Sequence, residues 1–214
     1  MSRMHTACLE GDIDTVKYLI EKKENVNKKN SDGETPLFES CFYGNYNIAK
    51  LLLENGANVE EPDINGNTPL IIACWVDSLE IVKLLLSHGA NANAKNDKDD
   101  SPLFIAALHN YTHILEYLLN NGANINDKFF SGNTALHCSC SYGYLDAVKI
   151  LLNYGANIND KNCSGETPLM IAKQEHDHEV EEYLKNEIKK RSYILFLIAQ
   201  RDVYKKYIMH NIIS

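Results

Sequence analysis

Thr68-Pro69-Leu70-Ile71-Ile72-Ala73 decides how this chain is read. Thr caps helices, and Pro suits the first helical turn, where its missing N–H costs nothing. The same device returns as Thr35-Pro36-Leu37, Ser101-Pro102-Leu103, Thr134-Ala135-Leu136 and Thr167-Pro168-Leu169, each 33 residues from the last. A second marker keeps that step: Gly56-Ala57, Gly89-Ala90, Gly122-Ala123 and Gly155-Ala156. Stepping back 33 residues from Thr35 reaches Ser2, so Met4-His5-Thr6-Ala7 fits as a degenerate first copy. A fixed step of this length marks an array of stacked units.

One unit reads as two helices. The first follows the Thr-Pro cap, as in Leu70 to Val76, and breaks at Gly11, Gly44, Asp77, Asn110, Gly143 and His176. The second carries apolar residues at helical spacing: Ile48, Leu51 and Leu52, then Ile81, Leu84 and Leu85, later Val148, Leu151 and Leu152. Gly-Ala closes it, with Gly in the left-handed conformation. A polar stretch such as Asp63-Ile64-Asn65-Gly66-Asn67 turns the chain into the next unit.

The 33-residue step and a Thr-Pro-Leu-His-x-Ala signature resemble ankyrin repeats. The best matches are Thr68-Pro69-Leu70-Ile71-Ile72-Ala73 and Thr134-Ala135-Leu136-His137-Cys138-Ser139, and the resemblance covers residues 2 to 185 as six units. It implies an all-α ankyrin-repeat solenoid of stacked helix-turn-helix units, each with a projecting β-turn finger. Residues 1–185 form the repeat domain, and 186–214 a helical C-terminal cap or docking tail. Departures fall at Lys23-Glu24, where Gly-Ala is expected, at Asp99, where the finger Gly should sit, and at Phe129, which opens the fifth finger in place of Asp or Asn. The end units are more polar than the middle, as caps of an array must be.

The net charge is −8 and the isoelectric point about 5.5, which disfavours a phosphate backbone as partner. No apolar run nears the ~20 residues that span a bilayer, and the N-terminus lacks a secretory apolar core. The expectation is a monomer in the cytoplasm or the nucleus, or in the host cytoplasm if the source is viral. Abundant Asn, Lys and Ile are the bias of an AT-rich genome, as in protists and large DNA viruses.

Cys8, Cys41, Cys74 and Cys140 share one slot in four units. In ankyrin-like repeats that slot is a small buried one, and Cys serves there as a small hydrophobe. Units stacked ~8–10 Å apart exceed the reach of a disulfide. Cys138-Ser139-Cys140 lacks zinc-site spacing. Cys163 reads as a free thiol on a finger. His5 and His137 fall on the signature His, a hydrogen-bonding position, and His176-Asp177-His178 reads as a surface turn. Neither a phosphate-cradling Gly loop nor a nucleophile elbow occurs. No catalytic residue, metal or cofactor is expected.

In such repeats the variable positions face a concave groove. The helix slots read Leu9-Glu10, Phe42-Tyr43, Trp75-Val76, Leu108-His109, Ser141-Tyr142 and Gln174-Glu175, and the finger slots add Ile64 and Phe130. Phe42, Tyr43, Ile64, Trp75, Val76, Leu108, His109, Phe130 and Tyr142 are therefore the candidate partner-binding residues. Trp and Tyr anchor interfaces because they bury much area at low entropic cost. The expected function is a non-catalytic protein–protein interaction module. The alternative is a substrate adaptor whose F-box-like tail recruits a ubiquitin ligase, echoed in Glu187-Ile188-Lys189 and Ile194-Leu195. Ankyrin proteins of large DNA viruses often end in such a segment. A regulator or inhibitor of an enzyme is a third reading.

Overall fold

A computed structural model describes residues 2–213, with the side chains of Phe130 and of residues 202–213 outside that description. Six helix pairs follow one another: α1 (Arg3–Glu10) with α2 (Ile13–Glu21), α3 (Pro36–Phe42) with α4 (Tyr46–Glu54), and α5 (Pro69–Trp75) with α6 (Leu79–Ser87). Then come α7 (Pro102–Leu108) with α8 (Thr112–Asn120), α9 (Ala135–Ser141) with α10 (Leu145–Asn153), and α11 (Pro168–Gln174) with α12 (His178–Ile213).

Most first helices have only 7 residues, too short to persist alone in water. Their ends are supplied by the sequence and their stability by stacking. The hydroxyls of Thr35, Thr68, Ser101 and Thr167 accept from the N–H three residues on, at 3.2–3.4 Å. Thr134 lacks the following Pro and uses a capping box with His137 instead. All six break residues take positive φ, including the non-glycines Asp77, Asn110 and His176. The second helices end on left-handed Gly56, Gly89, Gly122 and Gly155. Lys23, at φ 60°, fills that role in the first unit, and the Glu24 N–H closes the turn on Leu19 O. Lys23-Glu24 thus reproduces the Gly-Ala geometry at a conformational cost.

One continuous core runs from Met4 to Leu184 through Leu37, Leu70, Ile105, Leu136 and Leu151. Each first helix packs on the first helix of a neighbouring unit as well as on its own partner.

The β-turn fingers expected between the pairs are not present: among the described residues no β-strand forms. Each loop is closed by a backbone bond, such as Asn30 N–H to Glu34 O at 2.9 Å, and side chains add further bonds. Asn30 Oδ1 accepts from the N–H groups of Asp32 and Glu34 at 2.9 and 3.0 Å. Asp63, Asn96 and Asn162 repeat this. Asx side chains thereby take the donors that a strand pair needs. Successive loops touch through single backbone bonds, such as Asp97 N–H to Asn65 O at 3.0 Å. Gly66 permits that approach, since a Cβ there would lie 2.9 Å from Asp97 N, besides its φ of 77°.

A lysine row ties neighbouring loops together. Lys29, Lys95 and Lys128 each donate to the carbonyl 33 residues on, at 2.8–2.9 Å. Each also pairs with a carboxylate of that loop, Glu61, Asp127 or Asp160. Pro62 interrupts the row, and the position that would face its missing charge is Ala94.

α12 is one helix of 36 residues, at about 1.5 Å per residue some 54 Å long. Val180 and Leu184 are buried and Ile188 packs on the core. Arg191 donates to Leu152 O (3.0 Å) and Ala156 O (3.4 Å), capping the end of α10. Beyond it residues 192–201 are exposed.

Candidate concave binding surface

The ends of the first helices place the candidate residues. Within α3, α5 and α9, Cys41, Cys74 and Cys140 face the core, and the next one or two positions face outward. Phe42 and Tyr43 are half exposed and meet edge to face at 5.0 Å. Trp75 keeps 37% exposure, its ring edge against His109 of the next unit at 4.8 Å. His109 in turn stacks on Tyr111 at 5.4 Å. Tyr142 is 56% exposed and stacks on Tyr144 at 5.6 Å, repeating the His109–Tyr111 pair one unit on. Val76, Leu108 and His109 are half-buried. Trp75 and His109 are thus brought together, and Leu108 and Tyr142 share one recess.

Ile64 is the outlier. It lies on the α4–α5 loop, strongly exposed, with its Cγ2 3.0 Å from where a Cβ on Gly33 would stand. Phe130 opens a single 3-10 turn, Phe130–Gly132, and its side chain falls outside the described residues.

The recess lies between the fourth and sixth units and encloses about 400 Å³. Leu108, Tyr142 and Ile171 line it with two residues that the slot rule misses, Phe104 and Phe129. Phe129 stands where other loops have Asn or Asp. It cannot make the Asx bonds, and its ring lies on Phe104 with centroids 3.8 Å apart. The loop compensates with Ser131 at φ 66°. The departure at Phe129 was a visible signal for this site. Phe104 carried a weaker one, as an aromatic residue in the signature His slot.

The recess is rimmed by Asp100, Glu166 and Glu175 and lined by no Lys or Arg. Asn162 and Gln174 donate to the Glu166 carboxylate and hold its pKa below the usual range, so it stays ionised. His137 is a wall of the recess rather than a reactive group. Its Nδ1 accepts from the Thr134 N–H (3.2 Å), which leaves Nε2 to donate to Glu166 O (3.1 Å), and burial lowers its pKa. His5 does the same between Ser2 and Glu34 O. His176 and His178 are exposed at the α11–α12 break, and His178 pairs with Glu181. Among the described residues no cluster of His, Cys, Asp or Glu is arranged to hold a metal ion.

All six cysteines are free, and five are buried. Burial pushes the Cys8 and Cys138 thiols up to about 12, and those of Cys41, Cys74 and Cys140 higher still. They are protonated, apolar packing groups. Glu39 is different. It is 3% exposed in a slot that holds Ile72, Ile105 and Ile171 elsewhere. Asn30 donates to its Oε1 at 3.1 Å, while Oε2 is buried without a partner. Burial, reinforced by Glu34, pushes its pKa up to about 7.

Comparison with known proteins accords with this architecture. A family model described as "Ankyrin repeats (3 copies)" matches residues 4–96 and 103–194. A second, "Ankyrin repeats (many copies)", matches residues 77–119. No curated protein matches the chain. Among the described residues no helix is long and apolar enough to cross a membrane. Stacked repeats of this kind support a general protein-interaction or scaffold role. Matched over most of its length, the chain belongs to the ankyrin-repeat family.

Proposed function

We propose that the concave surface from Phe42 to Tyr142 binds a partner protein and that Trp75 is its anchor. One observation carries the reading. Three of the first helices, α3, α5 and α9, end in aromatic side chains that stay in water although the core lies one or two residues away. A folded chain gains nothing by exposing such a row unless something covers it. Trp75 sits mid-row and is already held on one side by His109, so little entropy remains to be lost on binding. Units repeat at ~10 Å, so Tyr43, Trp75 and Leu108 make a strip about 20 Å long, the footprint of a helix or loop.

The test is capture of partners from cell extract with the wild-type chain, Trp75→Ala and Asn55→Ala, followed by titration of the captured protein. Asn55 lies at the end of α4, where its side chain bonds Leu51 O. Trp75→Ala should cost at least ~2 kcal/mol of binding, roughly a thirtyfold loss, with little change in melting temperature. Asn55→Ala should do neither. Equal binding per folded molecule for Trp75→Ala would end the proposal.

A further inference from the structure

Among the described residues the longest run of exposed apolar side chains is not on the concave side. Tyr193, Ile194, Leu195, Phe196, Leu197 and Ile198 follow one another on α12, all between 43% and 66% exposed. At 3.6 residues per turn, six consecutive positions pass more than once around the helix, so apolar groups face every direction. A helix that is apolar all round belongs inside something. The described residues do not cover it: all six stay exposed, beyond the bond that Arg191 makes back to the repeats. The helix is continuous through that point.

Charge says what fits. From residue 186 onward the sequence has six Lys or Arg against two Asp or Glu, in a chain whose total is −8. The recess between units four and six has the converse character: Phe104, Phe129 and Tyr142 line it together with the carboxylates of Asp100, Glu166 and Glu175, and no Lys or Arg does. Three units span about 20 Å. Residues 193–206 of a helix span about the same length and run from the apolar stretch to Lys205 and Lys206.

We propose that the chain self-associates by docking the α12 extension of one copy, with Tyr193–Ile198 as its apolar core, into the acidic aromatic recess of a second copy. This rests on the concave side being a binding surface. The contact joins two different surfaces, so its symmetry is head-to-tail rather than a like-with-like patch.

The full-length chain tests it. Light scattering over rising concentration should show the mass climbing from 24.2 kDa to at least twice that value. A tail variant, Leu195→Glu with Phe196→Glu, and a recess variant, Tyr142→Ala with Glu175→Lys, should each stay monomeric. Circular dichroism checks that both remain folded. Mixed in equal amounts they should form a one-to-one complex, because one retains the recess and the other retains the tail. A recess variant that still self-associates means tail-on-tail pairing and overturns the proposal, as does a wild-type chain that remains monomeric. Sedimentation with anionic phosphatidylserine vesicles that depends on Leu195 and Phe196, with no change of mass in solution, assigns the tail to a lipid surface and overturns it too. Trp75-dependent capture of another protein is read separately, so failure here leaves the groove reading standing.

Discussion

The ring of Phe129 lies 3.8 Å, centroid to centroid, from that of Phe104, in a loop position that Asn or Asp occupies in the other repeats. The exchange trades two Asx hydrogen bonds for an aromatic contact and builds one wall of the recess. Phe129→Ala should therefore destabilise by about 3 kcal/mol, the low end for deleting a buried aromatic, since a loop can partly collapse. A double-mutant cycle with Phe104→Ala in urea denaturation should return a coupling of ~0.5–1.5 kcal/mol. Additive effects would show that the rings do not support one another.

The cysteine slot should tolerate less volume and accept slightly more space. Cys74 is fully buried between helices. Cys74→Ala should be mild, about 1 kcal/mol, whereas Cys74→Leu should cost ~1–3 kcal/mol through overpacking. In the native protein a thiol reagent should modify exposed Cys163 quickly and Cys41, Cys74 and Cys140 only at the pace of unfolding. Rapid labelling of more than one thiol would refute the packing role.

Glu39 makes stability depend on pH. Its folded pKa of about 7 lies above the ordinary 4.5, so the folded state holds an extra proton between those values. That contribution is complete below pH 4.5 and is lost as pH rises through 7, an effect on the order of 3 kcal/mol. The sign is opposite for His5 and His137. Their pKa values are lowered, so their contribution is lost as pH falls. Denaturation at pH 5, 6, 7 and 8 should show Glu39→Gln gaining on the wild type as pH rises. Parallel curves would mean that the carboxyl is solvated in the folded state.

The C-terminal helix should divide at Arg191. Removing residues 192–214 leaves Ile188 on the core and Arg191 on the α10 carbonyls, so the melting temperature should barely move. Removing residues 187–214 strips both and should loosen the sixth unit first, because each unit leans only on its neighbours. Hydrogen exchange would locate the change. Equal melting temperatures for both truncations would show that Ile188 and Arg191 cap nothing.

The row of loop lysines supplies a further check. Lys95 bonds Lys128 O and pairs with Asp127, both half-exposed contacts. Lys95→Ala should cost no more than ~1 kcal/mol, and salt should reduce the difference. A larger, salt-independent loss would point to a packing role for the lysine stem.

The helix pairs, their breaks and the repeat boundaries were legible in the sequence, because each is set by local chemistry. Thr68 with Pro69 starts a helix wherever it stands, and Gly89 ends one. Even Asp77, Asn110 and His176 could be placed at breaks by phase alone. The alternation of cores and exposed ends at Trp75 and Tyr142 followed from the same phase. Relations across units were not legible, because they join residues about 30 positions apart whose geometry only stacking defines. Stacking placed the Trp75 ring on His109 and turned Phe129 into the recess. It buried Glu39 without a partner for Oε2, and replaced the expected fingers with loops held by Asx side chains. Tertiary structure also decided the fate of the tail. The sequence left residues 186–214 as a helical cap or docking tail, and only the packed sixth unit places Ile188 on the core and Arg191 on the α10 carbonyls. From there six apolar residues, Tyr193 to Ile198, stay exposed, a placement that only the packing of the sixth unit decides.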